Sequence, residues 1–165
     1  MAIEAFLKIE GPKIEGETIK AGFEKQIEIQ SFSFGVTQTA TMNSGTGGGS
    51  AGKAHVQDIN FSKKVDKTSP ILVQNCMLGT HYDKITLTLR KVTGGVQLPF
   101  LLFVMEEAIF SHYQTSGSEA SEELHENMAI NFARISMEYQ VQGAKGAGVG
   151  KTTASWDINK GEKIA

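Results

Sequence analysis

Apolar and polar residues alternate with a period of two along most of the chain, as in strands that have one buried and one exposed face. The segment 84–92 shows this most clearly, since Ile85, Leu87 and Leu89 alternate with polar side chains. The same pattern predicts strands over 3–9, 25–38, 55–65, 96–111, 123–141 and 154–159. The chain is therefore predicted to be mainly β.

One segment departs from the alternation and carries the signals of a short helix. Thr68 is a suitable cap residue, Pro70 stands where a first helical turn tolerates proline, and Gly79 follows the last apolar residue. The predicted apolar face consists of Ile71, Leu72, Cys76 and Met77. Such a helix would cover one end of a barrel or sandwich with that face.

The apolar positions change parity within two of the predicted strands. They are odd up to Ile29 but even from Phe32 onwards, and even up to Phe132 but odd from Ile135 onwards. Because a slip of one residue moves side chains to the other face, each change predicts a bulge or sharp bend, near 30–31 and near 133–134. Long strands that bend and swap faces are typical of a closed or orthogonally packed barrel.

The segment 100–105 is apolar on both parities. In an antiparallel protein of this size only one face of a strand is normally part of the core. Two interpretations stay open: the second face is covered within the same domain, or it is a contact between subunits. The candidate interface residues are Leu101, Leu102, Phe103 and Val104.

Two glycine-rich segments, 43–52 and 143–150, are predicted to be mobile loops. The first contains Asn43, Gly47, Gly48, Gly49 and Gly52. It has the spacing of a phosphate-binding loop up to Lys53, but Ala54 stands where a hydroxyl must coordinate magnesium, and a strand pattern follows where a helix is required. Since the sequence shows no internal repeat, one domain spanning 1–165 is predicted.

Composition excludes several classes of function. The 16 basic and 18 acidic residues give a formal charge of −2 and are interspersed, so no basic footprint for nucleic acid is present. The longest apolar run, 100–105, is far shorter than the about 20 residues that a membrane helix needs. The first ten residues include Glu4 and no continuous apolar region, which argues against export by a signal peptide. Cys76 is the sole cysteine, which is compatible with a reducing cytoplasm.

Residue types that carry catalysis are present without the arrangement that catalysis requires. The four histidines form no pair at ligand spacing, so no metal site is predicted. Glu106 and Glu107 are expected on opposite faces of a strand, and 119–126 is interpreted as a solvated hairpin end, so neither supplies an acid and base pair. The sequence predicts a protein that is not an enzyme and has no cofactor. A hydrolase that depends on Glu106 or Glu107 is a minor alternative.

Several segments, in this order, resemble the haemolysin co-regulated protein (Hcp) family of bacterial type VI secretion systems across nearly the whole chain. They include MAIEAFLKIEGPKIEGE at the start, SFSFGVTQT, and SGSEASEELHENMAINFARISMEYQ. The most specific part is HVQDINFSKKVDKTSP, followed by the predicted helix with Cys76, then GTHY and ITLTLRK.

The resemblance implies a two-sheet β-barrel with one short α-helix that assembles as a hexameric ring, and rings that stack into a tube. Its implied partners are further copies of the chain, a contractile sheath, a spike protein and small effector proteins in the lumen. The protein would be cytoplasmic before firing and then secreted without a signal peptide. The loop 43–52 is expected to bridge stacked rings.

The family's lumen-facing serine falls on Ser33, between Phe32 and Phe34. Alternation independently turns Ser33 away from the core if the two phenylalanines face inward. A second functional hypothesis is a β-barrel module that binds a small ligand in its interior. A ring would favour the tube, and a monomer with an apolar cavity would favour the binding module.

Overall fold

The structure, a computed structural model, describes residues 2–41, 50–92, 98–142 and 148–164. These residues form eleven strands and one α-helix. The strands are β1 (Ala2–Glu10), β2 (Ile27–Ile29), β3 (Ser31–Ser33), β4 (Val36–Thr41), β5 (Ser50–Val56), β6 (Ile59–Lys64), β7 (His81–Val92), β8 (Pro99–Ser116), β9 (His125–Gln142), β10 (Gly148–Asp157) and β11 (Glu162–Lys163), and helix α1 (Ser69–Leu78) lies between β6 and β7. The prediction of a mainly β protein with one short helix is confirmed.

Most strands belong to one large antiparallel sheet. Its order is β11-β10-β9-β8-β7-β1-β2, and β9 also pairs with β6, which in turn pairs with β3. Strands β4 and β5 pair with each other in a separate two-stranded sheet. Strand β9 is therefore shared, since its first half lies between β8 and β6 and its second half between β8 and β10.

The predicted closure of the sheets into a barrel is wrong. Strand β2 pairs with β1, and after Gln30 the chain continues as β3, which pairs with β6 instead. In the parts of the chain that are described, no ladder joins β2 to β6, although the Gln30 amide donates to the Ser62 carbonyl oxygen at 2.8 Å. The predicted bend near 30–31 is confirmed. It turns the chain from one part of the sheet to another without closing it.

The second predicted bend, near 133–134, is also confirmed, and it extends beyond β9. Buried positions of β9 are even up to Phe132 and odd from Ile135. Strand β8 changes parity at the same level, between Met105 and Ala108, both of which are fully buried. The sequence concealed this second change because 100–105 is apolar on both parities.

Strand β7 changes parity at this level too, between the buried residues Tyr82 and Ile85. The registers of β7, β8 and β9 omit Asp83, Glu107 and Ala133, which lie side by side, and Glu107 has a positive φ of 49°. We call this level the kink line. It divides the long strands into two parts whose faces are exchanged. In β8 a bulge between Phe110 and His112 exchanges the faces once more.

Strand β1 is covered on both faces. Ala5, Leu7 and Ile9 are buried as predicted, whereas Ile3 is 60% exposed. On the opposite face Phe6 is fully buried and stacks on Phe23, with 4.4 Å between the ring centroids. The segment that precedes β2 therefore acts as the second cover of β1.

The face of 100–105 that serves the core is the odd one. Phe103 is 3% exposed and Met105 is fully buried, whereas Leu102 and Val104 are half-buried on the opposite face. Phe103 thus packs in the core of the single chain, and Leu101 also packs against that core. A subunit contact of Leu101, Leu102 and Val104 stays a prediction.

Helix α1 has the predicted ends. Pro70 lies in its first turn, and Gly79 follows its last residue. Gly79 has a positive φ of 68°, and its amide donates to the Cys76 carbonyl oxygen. Leu72 is fully buried, but Ile71 is 47% and Met77 81% exposed. The predicted apolar face is therefore wrong in these two residues. The exposed part of the helix is mainly apolar and also includes Gln74, and Leu72 and Cys76, four residues apart, pack inward.

The glycine-rich segments are partly strand. Gly52 lies in β5, where its Cα is so close to β4 that an added Cβ would be 2.1 Å from the Thr39 carbonyl oxygen. Gly148 and Gly150 lie in β10. The rest of both predicted loops, including Asn43, Gly47, Gly48 and Gly49, falls outside the described residues.

Candidate functional site

Four strand segments beyond the kink line form a sheet with one apolar and one polar face. They are β3, β6, the first half of β9 and the second half of β8. Phe32, Phe61 and Met128 are direct neighbours across the strands and pack into the core. Since side chains alternate along each strand, the residues before and after them face the other way.

The opposite face carries two rows of side chains, which we call the polar face. One row is Ser31, Ser62, Asn127 and Gln114, and the other is Ser33, Asn60, Ala129 and His112. The hydroxyl oxygens of Ser31 and Ser62 are 2.5 Å apart. A shallow depression of about 320 Å³ lies around Ser33 and Asn60.

The polar face has hydrogen-bonding groups but no formal charge, with histidine neutral. Charged side chains lie at its borders and already have partners. Asp58 accepts hydrogen bonds from Ser111 at 2.6 Å and Asn131 at 2.8 Å, and Lys64 pairs with Glu123 at 2.7 Å. The face can therefore hydrogen-bond to a neighbouring molecule without selecting it by charge.

Ser33 is exposed and lies between the inward-packed Phe32 and Phe34, as alternation predicted. Its position in a lumen stays a prediction. Ser33 is the one residue of this face that was predicted from the sequence to be functional. Asn60 and Ser62 could have been found, because they alternate with Ile59 and Phe61 in the same way.

Directly behind one end of the polar face lies a buried ion pair. Lys63 and Glu126 are both fully buried and contact each other. The interpretation of 119–126 as a wholly solvated hairpin end is therefore wrong for Glu126. Two charges out of water are tolerated only when they are paired and their remaining groups are hydrogen-bonded.

The remaining hydrogen bonds come from the start of helix α1 and from β8. The Ser69 hydroxyl donates to Glu126 at 2.9 Å, the Tyr113 hydroxyl donates to the same carboxylate, and Lys63 donates to Asp66 at 2.9 Å. Asp66 also accepts from the Thr68 amide at 2.9 Å. We call these residues with Lys63 and Glu126 the buried network. It fixes the helix to the sheet.

Two pKa values reflect this arrangement. Burial opposes ionisation of Asp66, but the hydrogen bonds from Thr68 and Lys63 together outweigh it and lower the pKa of Asp66. Burial, and next the hydrogen bond to Glu126, raise the pKa of the Tyr113 hydroxyl. Asp66 therefore stays ionised and Tyr113 stays a donor at neutral pH.

The two glutamates considered for catalysis are not on opposite faces. Because of the kink at Glu107, both reach Arg134, Glu106 at 3.0 Å and Glu107 at 3.4 Å. This ion-paired arrangement leaves neither carboxylate positioned as a free acid or base. Among the described residues, no group of histidine, cysteine and acidic side chains is placed to hold a metal ion.

A second concave region is apolar. It opens between the β4–β5 hairpin and strands β9 and β10, has a volume of about 350 Å³, and we call it the apolar groove. It is lined by Phe34, Val36, Ala54, Val56, Ile135, Met137, Ala154, Ser155 and Trp156. It is an open groove beside the sheet, not the interior of a barrel. In the described ranges, no helix has the length and apolar character to cross a membrane.

Solved structures define the class of protein to which this fold belongs. One described as a type six secretion system protein has a TM-score of 0.91 at 25% identity and covers 99% of this chain and 100% of its own. The crystal structure of Hcp1 from Salmonella typhimurium has a TM-score of 0.80 at 30% identity, with 99% and 100% covered. The fold is that of type VI secretion system proteins.

The sequence comparisons identify the family. The model of the family described as type VI secretion system effector, Hcp, matches residues 6–139. Protein hcp1 of Pseudomonas aeruginosa is 38% identical over 109 residues, which are 66% of this chain and 67% of the relative. The chain belongs to the Hcp family of type VI secretion tube and effector proteins. The predicted resemblance is confirmed, and the small-ligand-binding barrel is not supported.

Proposed function

We propose that the protein is the repeating subunit of a type VI secretion tube, in which six copies form a ring, rings stack, and the polar face lines the channel. The family and the fold support the tube. The observation that supports this choice of channel lining is the polar face itself, a four-stranded and largely exposed surface that carries no formal charge.

The chemistry of the polar face suits a channel for cargo proteins that differ in net charge. Serine, asparagine and glutamine side chains hydrogen-bond equally well to water and to protein surfaces, and an uncharged wall neither attracts nor repels a cargo by its net charge. In a closed ring each side chain recurs once per subunit. Ser33, Asn60 and their neighbours would then form continuous belts around the lumen.

The partners follow from this assembly. Small effector proteins would contact the polar face, and a sheath and a spike protein would contact the outside and the end of the tube. The segment 43–52 would bridge stacked rings. The subunit would fold in the cytoplasm and leave the cell as part of the tube.

Two measurements test the proposal. Light scattering on the purified protein should give six times the mass of one chain, and a strict monomer at high concentration would contradict it. To locate the channel, two single cysteines are labelled in a Cys76→Ala background. One is Ser33→Cys on the polar face, and the control is Ile19→Cys, at an exposed position outside the polar face.

A small maleimide should modify both positions of the ring, because Ser33 is exposed and Ile19 is 92% exposed. A maleimide carried on a polymer too wide for the channel should modify only position 19. Equal modification of position 33 by the wide reagent in an intact ring would show that the polar face is not the lining.

A further inference from the structure

The apolar groove is an open continuation of the hydrophobic core. Ile135 is buried and belongs to the core, while Met137, two residues further along the same face of β9, is 39% exposed in the groove. Opposite, Phe34 packs on the core and Val36 is 53% exposed. Concave apolar surface at the margin of a core can bind an apolar side chain of another molecule.

Helix α1 presents the complementary kind of surface. Its ten residues include no charged side chain, which is unusual for a helix that lies on the outside of a protein. Ile71, Met77 and Leu78 are 47%, 81% and 71% exposed and project from it. Ser69, Leu72, Asn75 and Cys76 form the inward side of the helix, so the projecting side chains add little to the fold of the single chain.

The two surfaces cannot meet within one chain. The helix packs on the half of β8 beyond the kink line, where Cys76 contacts the Phe110 carbonyl oxygen at 3.5 Å. The groove lies on the other half, at Ile135 and Met137. A helix that fills a groove must therefore come from a second molecule.

We propose that helix α1 of one copy docks in the apolar groove of the next copy, through Met77, Leu78 and Ile71. This rests on the proposed self-assembly and names the two surfaces that carry it. The two surfaces match in chemistry as well as in shape, because neither the helix nor the residues that line the groove carry a charge, so their contact buries no unpaired charge.

The contact has the geometry that a ring requires. One surface projects and the other is concave, so neither fits a second copy of itself, and the contact joins two different patches. In an open row of copies such a heterologous contact leaves a free helix at one end and a free groove at the other. Closure of the row into a ring pairs these two surfaces and leaves neither of them free.

Introducing opposite charges on the two sides of the contact tests the assignment. Met77→Glu and Val36→Lys each place a charge on an exposed position, so both variants should fold, but each should raise the concentration for half-assembly by about tenfold or more. The double variant should recover most of the loss, because the two new charges then face each other. Ile19→Glu, at an exposed apolar position outside both surfaces, is the control and should assemble like the parent.

A cross-link gives a second measurement. Met77→Cys and Val36→Cys combined in a Cys76→Ala background should, on oxidation, produce a ladder of disulfide-linked chains that ends at six, whereas Met77→Cys alone should give no species beyond a dimer. Normal assembly of either charged variant, or an intact ring without the ladder, would overturn the assignment and leave the tube function standing. A monomeric parent protein would refute both.

Discussion

The two halves of strands β8 and β9 differ sharply on either side of the kink line. On one side Phe103 and Ile135 lie in the core, and the same face opens into the apolar groove. On the other side Phe110 and Met128 lie in the core, and the opposite face is the uncharged polar face. One pair of strands thus contributes to two surfaces of opposite chemistry, and a face must be assigned for each half-strand separately.

The largest effect is expected from a charge on the core side of the first half. Phe103→Asp should prevent folding, because a carboxylate would be buried without a partner among apolar side chains. Phe103→Ala should lower the free energy of unfolding by about 3–5 kcal/mol, measured by urea titration. Leu102→Asp, one residue away on the opposite face, should leave a soluble folded chain. Two insoluble aspartate variants would show that this half has no free face.

The next largest effect is expected in the buried network, which lies at the halves of β8 and β9 beyond the kink line. Glu126→Ala should lower the free energy of unfolding by about 3–5 kcal/mol, because it leaves the buried Lys63 ammonium with Asp66 as its one remaining carboxylate and removes the acceptor of Ser69 and Tyr113. Lys63→Met combined with Glu126→Leu should cost much less. The matched control is Lys64→Met, which removes an exposed ion pair and should cost about 1 kcal/mol or less. Similar losses at positions 63 and 64 would contradict the burial of the pair.

The pH dependence of stability isolates Asp66 within this network. Its pKa is lower in the folded than in the unfolded chain, so its stabilisation is complete above the unfolded pKa of about 3.9 and is lost as the pH falls through the folded value. Asp66→Asn should therefore be less stable than the parent by about 1.5 kcal/mol at pH 7, and this gap should narrow below about pH 4. A gap that is constant from pH 7 to pH 2.5 would contradict the assignment to the carboxylate charge.

The kink line itself should give a smaller effect of opposite sign. Glu107→Gly should raise the free energy of unfolding by about 0.5–1 kcal/mol, because glycine adopts a φ of 49° without strain. The lost contact with Arg134 is exposed and worth little. Glu106→Gly is the control, since Glu106 pairs regularly in the ladder and glycine should destabilise it. Destabilisation by both glycines would argue against strain at residue 107.

The smallest effect on stability, and the largest on cargo, is expected on the polar face. Ser33→Gln should change the free energy of unfolding by no more than about 0.5 kcal/mol, since Ser33 is exposed and opens no cavity. It should leave the ring mass unchanged but reduce the recovery of co-purifying effector, because one bulky side chain per subunit narrows the whole belt. Unchanged recovery of every effector by an intact ring would show that Ser33 does not contact cargo.

What the sequence revealed and what it concealed follow from the range of the interactions. Alternation and caps are local, so strand 84–92, the helix ends and the orientation of Ser33 were predictable. The partners of Glu126 are not local, since Lys63 and Ser69 are 63 and 57 residues away, so its burial inside an acidic stretch gave no local signal. Whether the bent sheet closes likewise depends on which strands pair. The sequence leaves that choice open.

The mutual burial of Lys63 and Glu126 also constrains how this sequence can diverge. A lineage that replaces Lys63 first leaves Glu126 buried without a cation, and one that replaces Glu126 first leaves Lys63 buried with Asp66 alone, so either intermediate is less stable than the pair. Among relatives, positions 63 and 126 should therefore covary, and remain lysine and glutamate or become apolar together. The exposed neighbours Lys64 and Glu123 are under no such restriction and should drift independently.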